Sequence, residues 1–347
     1  MAKIFLLLSG ENPTLPFSEA KSILEAEGYH HQILGRLPQV LMIESNLECV
    51  TPIKSRASMT RICGLDLFNC QAELSEILKN VEAADLGQVI KEGERFSVRV
   101  RRLRGSAPEI GRWNLEQKIG GIIFRRIKGV KVDLKRPQKT FIGILTEKSF
   151  IFGLKLAEIR PKPFVERGPR KRSFFHPTAM PAKLARCMVN LAQPKKGELV
   201  LDPFCGTGSF LVEAGLIGCR ILGFDAERRM VEGSMRNISN YGVESEGMAV
   251  ADARSLPLPD SSIDCVVTDP PYGISATTLG LRVPDLIEAF LSSIIDKIRK
   301  GRRICLAAPK DVGVSELGER LGFKHLESHF VYVHRRLTRE IAVLRRD

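Results

Sequence analysis

No uninterrupted apolar stretch approaches the roughly 20 residues that a membrane-crossing helix needs. The first apolar run, Ile4 to Leu8, is strand-sized and preceded only by Met-Ala-Lys, too short a context for a signal peptide. These absences speak against a membrane partner and predict a cytoplasmic chain. The eight cysteines (Cys49, Cys63, Cys70, Cys187, Cys205, Cys219, Cys265 and Cys305) never stand as C-x-x-C, so they read as small core residues in a reducing compartment rather than as a disulfide frame or metal site. His30 and His31 lack any partner at metal-ligand spacing, and no metal is expected.

What is present is ordinary bulk with unevenly placed charge. A chain of 347 residues with 44% hydrophobic composition is long enough for two domains or more. The formal charge of +13 is concentrated in the middle: residues 95–139 hold 14 basic and 3 acidic side chains and residues 140–172 hold 8 and 3, whereas residues 1–94 hold 8 and 13. A basic block this dense, outside the glycine-rich half, fits a polyanion held by a separate module.

Hydrophobic periodicity predicts β-α-β-β-α-β over residues 1–72, a ferredoxin-like order, with a helix from Ser18 capped by that serine and a second helix from Pro52 to Cys63. Helices at 74–86 and 115–127 and strands at 96–102, 140–145 and 149–156 follow over residues 73–157. Residues 158–173 contain RPKPFVERGPRKR, whose three prolines and six basic residues predict an irregular linker suited to phosphates. Residues 174–347 then alternate strands with helices, one of them capped by Asp285, and close on an antiparallel pair. Arg335, Arg336, Arg339, Arg345 and Arg346 there suggest an extension of a basic surface or a solvated terminus.

The chemistry sits in this last part. Leu199 to Leu201 reads as a buried strand, and Asp202-Pro-Phe204-Cys-Gly206-Thr-Gly208 is a tight turn into a helix, where glycines keep Cβ atoms from holding a cofactor off the backbone. Cys205 within it reads as packing, because no histidine neighbours it. Asp225 ends the next strand, where a carboxylate accepts from ribose hydroxyls. Gly206, Gly208 and Asp225 alone fit a nicotinamide or flavin dinucleotide as well as another nucleoside cofactor. Asp252 follows a third strand, and a fourth delivers Asp269-Pro270-Pro271-Tyr272.

The turn at Asp202 resembles the cofactor loop of class I S-adenosylmethionine (SAM) methyltransferases, and D-P-P-Y resembles the motif of those that methylate an exocyclic base nitrogen. The resemblance implies a class I, Rossmann-like α/β sheet and SAM as cofactor. Its contacts would be His176, Pro177 and Thr178 of an H-P-T segment, then Asp202, Phe204, Gly206, Gly208, Asp225, Asp252, Ala253 and Asp269. It implies that Asp269 and the Pro270 carbonyl accept from the amino group while Tyr272 offers a stacking face. The basic strand and helix with V-D-L-K-R-P at 132–137 resemble a THUMP domain, an RNA-binding module. In that order, the parts are similar to the archaeal tRNA guanine-N2 methyltransferase family acting at guanosine 10. The partner implied is tRNA rather than DNA, with a small activator protein left open and a monomer expected. Methylation of N2 or N6 on another tRNA or rRNA nucleoside, and a non-catalytic RNA-binding scaffold, are the alternatives.

Overall fold

The computed structural model describes residues 1–273, 278, 280–335 and 337–347; Arg336 lies outside the described residues. Residues 1–13, 29–54 and 60–159 form one compact unit, and residues 14–28, 55–59 and 160–347 a second. Among the described residues no helix is long and apolar enough to cross a membrane.

The first unit is built on β1 (Ala2–Leu8), β2 (His31–Leu37), β3 (Val40–Ser45), β4 (Thr60–Gln71), β5 (Arg95–Arg102), β6 (Lys131–Val132), β7 (Lys139–Thr146) and β8 (Ser149–Glu158). They form one sheet in the order β2-β3-β1-β4-β8-β7-β5-β6. Because β4 pairs antiparallel with β8, the strands of residues 1–72 continue directly into those of the THUMP-like stretch. Of the early helices, α1 (Leu15–Ala26) lies in the second unit and α2 (Val50–Arg56) straddles the boundary, while α3 (Leu74–Ala83) and α4 (Arg112–Arg126) lie in the first. They bury Ile77, Val81, Leu115, Ile119 and Ile123 in the cluster that holds Phe141 and Phe152, whose rings stack at 5.7 Å. Each such side chain contributes about 1.5–3 kcal/mol on burial.

The basic block divides by task. Arg99 donates to the Leu134 carbonyl at 2.9 Å, Arg102 donates to the Ile110 carbonyl, and Arg126 donates to Val81 and Ala84 carbonyls at the end of α3. Arg101 and Arg104 stay exposed.

The second unit carries β9 (Leu199–Asp202), β10 (Arg220–Asp225), β11 (Gly247–Val250), β12 (Cys265–Thr268), β13 (Arg303–Pro309), β14 (Phe323–His334) and β15 (Leu337–Arg346). The order is β11-β10-β9-β12-β13-β15-β14, the first five strands parallel and β15 antiparallel to both its neighbours. Helices α5 (Lys162–Glu166), α6 (Ala182–Leu191), α7 (Ser209–Gly215), α8 (Arg228–Asn240), α9 (Val283–Ile294) and α10 (Val314–Arg320) complete it. Strand order reverses between β9 and β12, so the crevice beyond their carboxyl ends is where an open α/β sheet binds its ligand.

Several local expectations are corrected. Helix α1 starts at Leu15, with Pro16 in its first turn, and the Ser18 hydroxyl donates to Glu327 at 2.7 Å instead of capping. The helix expected to run to Cys63 stops at Arg56, and Thr60 already belongs to β4. Buried Glu19 explains the stop: it accepts from the Ser58 and Met59 amides at 2.9 and 2.7 Å, withdrawing them from helical bonding. Glu19 also accepts from Asn190 of α6 at 3.0 Å, which fixes α1 within the second unit. Asp285 lies inside the first turn of α9 and pairs with Arg282, so it is not the cap. The stretch expected to be an irregular linker contains α5 and a 3-10 turn at Pro169–Lys171.

Candidate active site

The glycine loop follows from the end of β9. Asp202 is 1% exposed; its Oδ1 accepts from Thr268 Oγ1 at 2.8 Å and the Phe204 amide at 3.2 Å, pinning the loop to β12. Its Oδ2 is buried without a hydrogen-bond partner among the described residues. Burial pushes the carboxyl up to about 8, against the Thr268 and Phe204 bonds and with help from Asp225 and Asp269.

The two glycines do different work. Gly206, at φ +50°, lines the cavity, and its amide donates to Asp225 Oδ2 at 2.9 Å. Gly208, at φ +77°, begins α7 and lines neither cavity below. A Cβ there would meet Ser234 Oγ of α8 at 2.5 Å, so helix packing itself demands this glycine. Cys205 is buried, and burial pushes its thiol well above its ordinary value, which fits packing and not nucleophilic attack.

A cavity of about 490 Å3 opens beyond β9, β10 and β12, with a smaller one of about 70 Å3 beside it. The large one brings together Pro177, Thr178, Phe204, Gly206, Asp225, Asp252, Ala253, Asp269, Pro270 and Tyr272, and the small one adds His176 and Asp202. Asp225 Oδ1 accepts from the Glu227 amide at 3.0 Å; burial raises its pKa while that bond and the Gly206 amide oppose the rise. His176 Nδ1 lies 2.7 Å from Thr178 Oγ1, which closes the H-P-T turn on itself. Asp252 is not a free acceptor: Arg254 Nε contacts both its oxygens at 2.9 Å, and this bond lowers its pKa.

Arg339 is the residue that sequence reasoning placed elsewhere. It lies in β15, opposite Pro309 of β13, and its side chain is 13% exposed, so it is no part of a solvated basic surface. Its Nη2 stands 3.3 Å from Asp269 Oδ2, its Nε donates to the Tyr272 hydroxyl at 2.9 Å, and its guanidinium lies 5.5 Å from the Tyr272 ring centroid. The Tyr272 hydroxyl in turn donates to Asp269 Oδ1. Tyr272 is therefore tethered by its hydroxyl and has a cation by its ring, a more constrained group than a bare stacking face. Burial raises the Asp269 pKa, and Arg339 followed by Tyr272 opposes the rise. Burial and then Asp269 push the Tyr272 hydroxyl far up. No local motif announces Arg339, because it lies far along the chain and arrives only through the insertion of β15 beside β13. Arg345, by contrast, pairs with Asp347, and Arg346 faces Asp296.

Two family descriptions match the chain: a THUMP domain over residues 71–152 and an RMKL-like methyltransferase domain over residues 169–339. Among solved structures, TrmN from Thermus thermophilus superposes with a TM-score of 0.57 at 20% identity, covering 99% of this chain and 100% of that one, a likeness of fold. The tRNA (guanine(10)-N2)-dimethyltransferase of Pyrococcus abyssi is 33% identical over 88% of this chain and 89% of its own. The protein of the same name from Methanothermobacter thermautotrophicus is 38% identical over 99% of both chains. On that identity, extending through both the THUMP and the methyltransferase parts, the chain belongs to the tRNA (guanine(10)-N2)-dimethyltransferase family.

Proposed function

We propose that the chain transfers methyl groups from SAM to the exocyclic N2 of guanosine 10 in tRNA, with Asp269 as the acceptor that aligns the amino group. The observation that carries this reading is the placement of a half-buried Asp-Pro-Pro-Tyr at the end of β12, in the same cavity as the β9 loop and Asp225. The relatives' names specify dimethylation, which supports two successive transfers. The THUMP match and the exposed Arg101 and Arg104 support tRNA as the partner.

The residues present suit this cofactor. Asp225 offers acceptor lone pairs to ribose hydroxyls, and Asp202, whose Oδ2 is orphaned, lines the small cavity, where a cationic amino group would satisfy it and favour its ionised form. Bound SAM supplies an electrophilic methyl group on a sulfonium. The protein's task is to make a poor nucleophile reactive, since the amino lone pair of guanine is delocalised into the ring until acceptors draw on its hydrogens. Asp269 Oδ1 becomes available when the Tyr272 hydroxyl gives way to the incoming amino group, while Arg339 keeps its hold on Oδ2. The Pro270-Pro271 backbone fixes where these acceptors stand. Asp269 then accepts the proton that the methylated nitrogen must lose.

The cofactor assignment has a direct check. Calorimetry with S-adenosylhomocysteine is expected to show binding, and Asp225→Ala is expected to weaken it roughly tenfold or more through loss of a charge-assisted hydrogen bond. Binding of NAD with none of S-adenosylhomocysteine would overturn the reading.

A further inference from the structure

The basic run before the H-P-T segment is a mounted strap. Arg167 pairs with buried Glu213 at 2.8 Å, and Arg172, 6% exposed, donates to the Ser209 hydroxyl at the start of α7. One turn later, buried Asn237 of α8 accepts from the Phe174 amide at 3.0 Å and donates to the Phe174 carbonyl at 2.8 Å. Two of the three consecutive cations at 170–172 are left over: Arg170 and Lys171 are exposed, with no ion pair among the described residues. Next to the clamped Phe174, the Phe175 ring is 42% exposed.

These leftovers converge. Arg170, Lys171, Phe175 and Val165 line an open groove of about 430 Å3, and Pro177 and Ala179 line both this groove and the catalytic cavity. The groove therefore begins where the catalytic cavity's wall ends, within the size range of roughly 300–1,000 Å3 typical of small-ligand sites. An aromatic face beside two uncommitted cations is the combination that holds single-stranded nucleotides, by base stacking and phosphate contact. A target base swung out of its helix leaves its neighbours unstacked, so a platform that shares Pro177 and Ala179 with the cavity has an obvious occupant.

We propose that this groove holds the nucleotide adjacent to the target guanosine in the same RNA strand, its base on Phe175 and its phosphates on Arg170 and Lys171. The proposal rests on the tRNA methyltransferase reading. Because Arg167, Arg172 and Asn237 hold the strap before RNA arrives, little ordering cost is incurred on binding.

The test uses the full chain with an unmodified tRNA transcript, the wild-type protein serving as the control for the function itself. Phe175→Ala is expected to lower kcat/KM for tRNA by roughly 5- to 100-fold, from the loss of one base stack. Phe175→Tyr is expected to restore most of it, and affinity for S-adenosylhomocysteine is expected to stay unchanged in both. Arg170→Ala with Lys171→Ala is expected to weaken tRNA binding and reduce its salt slope by about two. A 4-thiouridine placed next to the target guanosine is expected to cross-link within residues 169–177. Wild-type kinetics in Phe175→Ala, an unchanged salt slope in the double variant or a cross-link elsewhere would overturn the subsite. Failure of the wild-type protein to methylate the transcript would instead overturn the function on which it rests.

Discussion

Asp269→Ala is expected to lower turnover by about 10²- to 10⁴-fold, the range associated with losing a positioned acid or base. The tRNA surface is untouched, so tRNA affinity should change little. Stability should fall as well. Asp269 is the carboxylate facing the Arg339 guanidinium in a partly exposed pair, so deleting it leaves the other charge incompletely compensated and costs less than the roughly 3–5 kcal/mol of a fully buried pair. Asp269→Asn keeps one acceptor oxygen and is expected to retain clearly more activity than the alanine variant, since alignment of the amino group is the main demand. Single-turnover methyl transfer at saturating tRNA reads this directly. A loss in the asparagine variant as deep as alanine's would assign the effect to the charge or to proton abstraction. Near-normal transfer by the alanine variant would remove D-P-P-Y from the active site.

The second large effect belongs to Arg339. Its guanidinium is the main influence opposing the rise that burial imposes on the Asp269 pKa. Among the described residues, the groups facing Asp269 are Arg339 and the Tyr272 hydroxyl; Asp225, Glu227, Asp252 and His334 line the same cavity, and Asp202 the smaller one beside it. Removing the guanidinium leaves the effect of burial opposed only by the Tyr272 hydrogen bond among the described residues, so the Asp269 pKa climbs further. The sign for activity follows. Ionised Asp269 offers the amino group a stronger acceptor than its protonated form, so activity falls as pH drops through its pKa, and a higher pKa moves that acid limb to higher pH. Arg339→Met is expected to reduce kcat roughly 100-fold near neutrality and to recover part of the loss as pH rises. Arg339→Lys, which keeps the charge without the planar fork, is expected to lie between. A loss of the same size at every pH from about 6 to 9 would reduce Arg339 to a packing residue.

What the sequence revealed and what it hid divide along the same physical line. Residues within one strand-turn-helix unit were legible, because the β9 loop, Asp225 at the end of β10 and Asp269 at the end of β12 each stand where a local strand stops, and a parallel sheet brings such ends together. Arg339 was not legible. Its partners are set by β15 lying antiparallel beside β13, a pairing that nothing in the local run LTRE announces. Gly208 shows the converse: its φ of +77° was inferable from the turn, but the contact that excludes a side chain is Ser234 of another helix. Arg167 and Arg172 read as linker charges because composition cannot show that Glu213 and Ser209 hold them in place. The pairing of β4 with β8 was hidden for the same reason, being a long-range register between segments that each look complete alone.

The central claim, SAM-dependent methylation at N2 of guanosine 10, is tested most directly by nucleoside mass spectrometry of an unmodified tRNA transcript after incubation with the protein and SAM. The account predicts N2-methylguanosine followed by N2,N2-dimethylguanosine, both absent when position 10 is changed from guanosine to adenosine. Methylation that persists in the substituted transcript, appears on another nucleoside, or fails to appear on tRNA while SAM is bound would contradict it.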